Sequence, residues 1–475
     1  MDIKSIIDKL LPILPIASIV AVVIIGITYL SYTLYRKRGG RKKASFSQFS
    51  ALFLLFGWFA VVLVLTTFSR GANFEGWVNF RLFSDYINAW NQWSLSELQL
   101  IVFNMLMFAP LGFLLPLLGK KTRRIVPILL ISLTVTLSIE FFQMFSRRGI
   151  FELNDILHNT LGSVAGYFLM SAIQDVLVLR KIKVQSLFKA FCIPLVFTLL
   201  FTGALIVYSA KELGNLSIRP VFSQDMNQVE VVLNTELKTD DDTVSLYYSD
   251  QIHNIKYGND HAALLQSSFN LSQKGSIRKD GYNRIWYLLD DSGNELIYNY
   301  NLKDGTWGMY PESYETVSMA QEELNSLREF YEKWLLSNWL LPKEAIFSTQ
   351  DNNTLRWDMK QSIKKIAFED KDFFEGFIML IPSENNHRPM DVFYDMKENI
   401  FVREVNIISP SQAYEEILNG NFYMYNNLND GDKLIINDYE LDYTFDSKGY
   451  YQPVYKFIGL LNDQDWEALI PAVID

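Results

Sequence analysis

The sequence predicts an α-helical polytopic membrane domain of about six spans, followed by an extracytoplasmic α+β domain. Long apolar runs fill the first 210 residues, basic clusters separate them, and short strand-like segments follow. The charge divides the same way: residues 1–210 hold 20 Lys and Arg against 9 Asp and Glu, and the rest hold 23 against 44. A chain of 475 residues also exceeds one ordinary domain.

Six apolar runs are long enough to cross a bilayer. They are Leu11–Tyr35, Phe49–Phe68, Leu98–Leu118, Ile125–Phe145, Ile156–Ile173 and Phe188–Tyr208. Basic clusters follow the first, third and fifth runs, at residues 36–43, 120–124 and 180–189. Six spans put all three clusters on one side, which the positive-inside rule makes cytoplasmic. The protein is then a multi-pass protein of the plasma membrane, and both termini and the C-terminal domain are extracytoplasmic.

The first run is predicted to be a retained anchor, since most of its flanking charge comes after the apolar core. The single cysteine, Cys192, lies in the sixth run, so the external domain has no disulfide. A large exported domain without cysteines is typical of bacteria, especially Gram-positive bacteria.

Polar side chains interrupt three of the apolar runs at the same predicted depth, in the outer leaflet. Intramembrane ionisable groups are costly and usually face a bundle interior or cavity, so they indicate a site. The predicted ligand-binding residues are Asn104, Glu140, Gln143, Arg147, Asp155 and Asn159. Glu140, Gln143 and Arg147 follow i, i+3 and i+7, so they share a face if the helix continues that far.

Small residues and a proline accompany this polar set. Gly162 and Gly166 form a small-xxx-small pattern that lets two helices approach closely. Pro110 and Gly112 are expected to break or loosen the third span. Asn154 is predicted to be the N-cap of the fifth helix.

These pieces, in this order and spacing, resemble the VanZ-like family over about residues 50–175. The resemblance rests on Asn104…Phe108-Ala-Pro110-Leu-Gly112-Phe, Ser138-Ile-Glu140-x-x-Gln143 with the following arginine, and Asp155…Asn159…Gly162. It implies a bacterial cell-envelope membrane protein whose namesake gives resistance to the glycopeptide teicoplanin. The predicted division is an anchor and basic loop (1–48), the VanZ-like domain (49–175), a basic loop and last helix (176–210) and the external domain (211–475).

Three interpretations of the polar set stay open. It binds the polar head of a membrane lipid or a lipid-linked wall precursor, or it only joins helices by hydrogen bonds, or it catalyses a reaction on a lipid. Glu140, Asp155 and His158 are residue types that ligate metals or transfer protons, but no recognised catalytic motif accompanies them. We therefore expect no catalytic residue, metal or cofactor, and no nucleic-acid partner.

The external domain has strand-like and helical segments, with two modules predicted near residues 220–340 and 345–475. The strands are predicted at Val244–Tyr248, Asn283–Leu289, Leu296–Tyr300, Phe377–Ile381, Met390–Phe393 and Ile400–Val405. The helices are predicted at Ser318–Ser337 and Pro410–Leu418, the second capped by Ser409.

The last 65 or so residues faintly resemble PepSY-like or YycI-like extracytoplasmic domains of Gram-positive bacteria. That resemblance implies a binding or regulatory module, with an envelope protein as its partner. An extracytoplasmic sensor is therefore the alternative to the lipid-binding, glycopeptide-susceptibility function.

Overall fold

The computed structural model describes residues 14–40, 45–68, 78–312, 319, 321–350, 354–359, 366–383 and 386–474. The chain forms two compact units. The first, called the helical unit below, comprises residues 1–89 and 94–211, and the second, the sheet unit, comprises residues 90–93 and 212–475.

Among the described residues, seven α-helices lie wholly in the helical unit or, for Ser84–Gln92, mostly in it. They are α1 (Leu14–Lys37), α2 (Phe46–Leu63), α3 (Ser84–Gln92), α4 (Leu95–Leu118), α5 (Ile125–Phe145), α6 (Leu153–Leu179) and α7 (Val184–Ala210). A π-helical turn, Val64–Phe68, extends α2, and two short parallel strands, β1 (Val78–Asn79) and β2 (Phe151–Glu152), pair with each other.

Five helices in the described part of the chain are long and apolar enough to cross a membrane: α2 with its extension, α4, α5, α6 and α7. They correspond to the second to sixth predicted spans. The first predicted span, Leu11–Tyr35, overlaps α1, but its residues 11–13 lie outside the described range. The protein therefore has a helical membrane domain, as predicted.

The ends of two helices differ from the prediction. The fifth span was expected to be the shortest, yet α6 has 27 residues and begins before its polar residues Asn154 and Asp155. Apolar run length misses a helix whose first turn is polar. By contrast, α5 ends at Phe145, so it does not carry Arg147 onto the face of Glu140 and Gln143.

Glycines bring the backbones of α4 and α6 together. A Cβ at Gly112 would lie 2.6 Å from the Ser163 carbonyl carbon, and one at Gly162 would lie 2.7 Å from that of Met105. A Cβ at Gly166 would lie 2.8 Å from that of Ala109. These distances leave no room for a methyl group, so glycine sets the spacing of the two helices.

Pro110 does not break α4, which runs without interruption through Pro110 and Pro116. Proline removes one helical hydrogen bond, and neighbouring groups in a bundle can compensate for it. The Trp58 Nε1 donates to the nearby Met107 carbonyl at 2.6 Å, which joins α2 to α4 beside this proline.

The sheet unit is an α+β domain, as predicted. Its described strands are β3 (Glu230–Leu233), β4 (Asp242–Tyr248), β5 (Ser272–Asp280), β6 (Asn283–Leu289), β7 (Glu295–Asn301), β8 (Trp307–Pro311), β9 (Ile346–Gln350), β10 (Thr354–Met359), β11 (Phe373–Ser383), β12 (Asn386–Ile407), β13 (Lys433–Phe445), β14 (Tyr450–Leu461) and β15 (Gln464–Pro471). The longest path through the sheet has the order β3-β13-β14-β4-β12-β8-β7-β6-β5.

Two hydrophobic cores lie on this sheet, and β12 contributes to both. The first core includes Trp286, Trp307 and Tyr394 and packs under α8 (Ile255–Phe269) and α9 (Gln321–Ser337). The second includes Phe457 and packs under α10 (Pro410–Leu418). The cores do not follow the predicted boundary near residue 345, since β10 and β11 supply side chains to the first core.

The elements predicted in the sheet unit are present, but the structure also has strands that were not predicted, namely β3, β5, β8, β9, β10, β13, β14 and β15. Met390–Phe393 and Ile400–Val405 are parts of one strand, β12, rather than two strands. Helix α8 was not predicted, although the Asn254 side chain caps it by accepting from the Lys256 and Tyr257 amides. Helix α10 has the predicted bounds, with Ser409 and Gln412 forming a capping box.

Candidate functional site

Asn104 and Asp155 connect two membrane helices directly. The Asn104 Nδ2 donates to the Asp155 Oδ1 at 2.6 Å, which joins α4 to the first turn of α6. Both side chains are half-buried. This distance is short for an N–H···O hydrogen bond. The structure thus brings these two members of the predicted polar set into contact.

Asn154 holds helix α3 against the start of α6, instead of acting as the predicted N-cap. Helix α6 begins at Leu153 with Glu152 at the N-cap position, so Asn154 lies inside its first turn. Its Oδ1 accepts from the Phe83 amide at 2.7 Å, and its Nδ2 donates to the Asp85 Oδ1 at 2.9 Å. Asn154 is 1% exposed, so these bonds are shielded from water. They bring Asp85 to the same end of the bundle as Asp155.

His158 is fully buried beside Asp85. Neither ring nitrogen has a hydrogen-bond partner among the described residues, and the Nδ1 lies 3.8 Å from the Asp85 Oδ2. The Tyr86 ring packs edge-on against the imidazole, with the ring centroids 5.3 Å apart. Burial, and then the neighbouring Asp85 carboxylate, raise the pKa of Tyr86 to about 12, so its phenol stays protonated at neutral pH.

Three other predicted site residues join secondary-structure elements. The Glu140 Oε2 accepts from the Glu152 amide at 3.1 Å, and the Gln143 Nε2 donates to the Thr66 carbonyl at 3.1 Å. The Asn159 Nδ2 donates to the Thr136 Oγ1 at 2.9 Å. Glu140, Gln143 and Asn159 are between 1% and 3% exposed, so a ligand has little access to them.

Arg147 lies in the turn after α5, with a left-handed φ of 55°. Its amide donates to the Met144 carbonyl at 3.1 Å, and its side chain is exposed. The guanidinium is therefore accessible to a ligand. It extends from the turn after α5 and not, as was predicted, from the helix face of Glu140 and Gln143.

An apolar cleft of about 500 Å³ lies between α2, α4 and α6. Its lining includes Trp58, Pro110, Phe113 and Gly166. Pro110 follows Asn104 by six residues, a rotation of about 240° around the helix. The cleft therefore opens onto a different face of α4 from the Asn104–Asp155 pair.

Sequence reasoning missed Asp85, because a carboxylate between two spans usually belongs to a solvated loop. Ser84-Asp85 opens a helix, and Tyr86 and Trp90 recur with a helical spacing of four residues. This pattern could have indicated an amphipathic helix next to the membrane. Its packing on α6 depends on the Asn154 side chain and could not be predicted.

Asp85, Asp155 and His158 together have the composition of a metal site. One ligand atom from each lies within 4.8 Å of the others. Two carboxylates and an imidazole suit first-row divalent ions. Glu140, which the sequence grouped with Asp155 and His158, does not belong to this cluster. The expectation that the chain binds no metal therefore remains a prediction.

The VanZ/LLP1 family model matches residues 46–174. No curated protein matches the chain.

Solved structures with similarity to the chain include the Bacillus megaterium YpeB C-terminal domain. That match has 13% identity and a TM-score of 0.20, and covers 45% of this chain and 92% of that one. An uncharacterized protein from Eubacterium rectale matches with 12% identity and a TM-score of 0.23, over 51% of this chain and 87% of that one. Such scores support no structural argument, whereas the family model coincides with the segment that carries the polar set. Residues 46–174 are therefore a VanZ-like domain within a longer membrane protein.

Proposed function

We propose that the VanZ-like domain binds the polar head of a membrane amphiphile, either a lipid or a lipid-linked wall precursor. The observation that carries the proposal is the hydrogen bond between the half-buried Asn104 and Asp155 at one end of two apolar helices. The amide and carboxylate would contact hydroxyl or amine groups of the head. Arg147, exposed in the turn after α5, would contact its phosphate or carboxylate, because a guanidinium binds such groups in bidentate fashion.

The burial of the polar side chains favours this division of roles. Glu140, Gln143 and Asn159 are almost fully buried and bonded to the protein, so we assign them to holding the bundle. Polar groups between membrane helices contribute about 0.6–2 kcal/mol each, enough for such a role. Asn104 and Asp155 retain access to a ligand. Glycines 112, 162 and 166 hold α4 and α6 at the distance that this pair needs.

The headgroup position requires the pair to lie in the outer leaflet, with both termini and the sheet unit extracytoplasmic. The basic clusters at residues 36–43, 120–124 and 180–189 support this topology. Labelling of intact cells tests it, using a Cys192→Ser background with one new cysteine in loop 36–43 or after residue 475. We expect an impermeant maleimide to label only the C-terminal position. Labelling of loop 36–43 without permeabilisation would refute the topology.

Binding of a lipid head is tested by native mass spectrometry of the full chain released from nanodiscs containing phosphatidylglycerol. We expect Asp155→Asn and Arg147→Ala to retain at least tenfold less lipid than the parent. Asp175→Asn is the matched control, because Asp175 lies on the same helix and pairs with Lys189 at 2.8 Å instead of joining the site. Equal lipid retention by all three variants would mean that the polar set only joins helices and does not bind a lipid head.

A glycopeptide phenotype is the cellular consequence that we propose. An amphiphile held at this position would compete with the membrane anchoring of a lipid-tailed glycopeptide such as teicoplanin. In a host without its own copy, the parent and Asp175→Asn should reduce teicoplanin susceptibility, while Asp155→Asn should not, at equal membrane abundance. Equal protection by all variants would contradict the link between the site and the phenotype.

A second function, partner binding by the sheet unit, is favoured by Trp339. The Trp339 side chain is 93% exposed, and its backbone has a left-handed φ of 60°. Exposed tryptophan is common in protein interfaces and contributes strongly to their affinity. A photo-crosslinking residue at position 339 should capture an envelope protein in cells, whereas one at the exposed Lys279 on β5 should not. Equal capture at both positions would argue against a specific partner.

A further inference from the structure

We infer that Asp85, Asp155 and His158 form a divalent-cation site at the end of the helical unit where α3 packs on α6. Zn²⁺ is the first candidate. The three donors come from two segments that are distant in sequence, and Asp155 and His158 occupy i and i+3 on one face of α6. One ligand atom from each residue lies within 4.8 Å of the other two.

The environment of His158 points to a ligand. Its side chain is 0% exposed, and both ring nitrogens lack a hydrogen bond within the described residues. Burying a polar group without a bond is costly, so such a group normally has a partner. Its Nδ1 lies 3.8 Å from the Asp85 Oδ2, beyond hydrogen-bond range. A Zn²⁺ ion bound at about 2.1 Å holds two ligand atoms about 3.0–3.5 Å apart, so a small side-chain movement would place both on one ion.

Amide side chains orient the two carboxylates from outside the cluster. The Asn154 Nδ2 donates to the Asp85 Oδ1 at 2.9 Å, which leaves the Oδ2 as the atom facing His158. The Asn104 Nδ2 donates to the Asp155 Oδ1 at 2.6 Å. Metal sites typically hold their ligands in place through such outer hydrogen bonds.

Imidazole and carboxylate ligands match zinc, and three protein ligands leave a fourth position on the ion open. A phosphate oxygen fits that position, since a bound cation dominates the local charge and would offset the two carboxylates. The cation would thus hold a lipid phosphate. This last step rests on the proposed headgroup function, but the cation site itself does not.

The cation site is tested on the full chain, purified without a histidine tag, stripped with a chelator and dialysed against Zn²⁺. Mass spectrometry of the metal content should find about one Zn²⁺ per parent chain. Asp85→Asn and His158→Gln should bind at least tenfold more weakly, while Asp175→Asn should match the parent. Equal binding by the parent and the two site variants, or none by the parent, would overturn the inference.

A second measurement needs no variant of the cluster. His158 is the one histidine in the first 211 residues, and the others are His253, His261 and His387. In a chain carrying glutamine at those three positions, pulsed electron paramagnetic resonance of bound Mn²⁺ should still detect an imidazole nitrogen. Absence of that coupling would overturn the assignment of His158.

The lipid step is separated by repeating the native mass spectrometry with and without chelator. Loss of phosphatidylglycerol on chelation supports the cation as the phosphate ligand. Zinc binding without lipid retention would refute the headgroup function and leave the cation site standing. Lipid retention unchanged by chelation would refute the cation's role in holding phosphate and leave the headgroup function standing.

Discussion

Gly162→Ala should separate α4 from α6 and weaken the helical unit. The new Cβ would lie 2.7 Å from the Met105 carbonyl carbon and closer still to its oxygen. Carbon atoms in favourable contact lie about 3.5 Å apart or more, so the backbones must separate by about 0.8 Å or more. Overpacking of this kind costs about 1–3 kcal/mol.

The same separation acts on the polar pair. Asp155 precedes Gly162 by seven residues, two helical turns, and Asn104 is adjacent to Met105. The Asn104–Asp155 hydrogen bond is 2.6 Å long. Lengthening it by about 0.8 Å would bring the donor–acceptor distance beyond the usual limit of a hydrogen bond. Gly162→Ala should therefore reduce lipid retention as well as stability.

The assay measures the apparent melting temperature of the full chain in detergent. The readout is the loss of the monodisperse chromatographic peak as the temperature rises. A loss of 2 kcal/mol corresponds to a decrease of about 4–8 °C for a unit of this size. Gly203→Ala is the matched control, because a Cβ at Gly203 in α7 meets nothing within 4 Å. The control should be neutral or stabilising, since alanine is the better helix former by about 1 kcal/mol. A Gly162→Ala variant as stable as Gly203→Ala would refute the reasoning.

Thr136→Val should cost about 1 kcal/mol by removing the hydroxyl that accepts from Asn159, while lipid retention stays at the parental level. A loss of retention would return Asn159 to the ligand-binding set. Ser409→Ala should lower the free energy of unfolding of the sheet unit by about 0.5–2 kcal/mol, measured by chemical denaturation, since it removes the α10 cap. No change would contradict the capping role. Burial raises the pKa of Glu375, whose Oε2 accepts from the Tyr451 hydroxyl at 3.1 Å. The stabilisation linked to its proton is complete below the unfolded pKa of about 4.3 and is lost as pH rises through the folded value. Glu375→Gln should therefore unfold at a higher temperature than the parent near pH 8, with the difference disappearing near pH 4; a constant difference would exclude this titration.

Hydropathy predicted the membrane helices well because apolar residues dominate their interiors. It failed at their ends, where polar side chains bond to neighbouring elements. The first turn of α6 contains Asn154 and Asp155, whose side chains bond to α3 and α4, and an apolar run cannot include them. The prediction that α5 continues to Arg147 was wrong, because helical spacing alone does not show where the helix ends.

In the sheet unit, local patterns predicted the strand cores but not the length of β12. Asp395, Lys397 and Glu398 interrupt its apolar alternation, so the sequence reads as two strands. The strand pairs with β11 along its first part and with β4 along its last part, and its register shifts between Phe401 and Arg403. Continuity between two cores is a tertiary property that a short sequence window cannot reveal.

The candidate site was predictable only where a polar residue lies within an apolar run or directly beside one. Asn104 lies within the third run and Asp155 directly precedes the fifth, and the structure bonds them to each other. Asp85 was not predictable, because its position depends on Asn154, whose side chain the sequence assigned to capping. The same amide that anchors α3 also orients the Asp85 carboxylate toward His158. Helix packing and site geometry therefore depend on the same few side chains. A variant that tests the site without disturbing the packing must change the ligand atoms of Asp85, Asp155 or His158 and keep the amide side chains of Asn104 and Asn154.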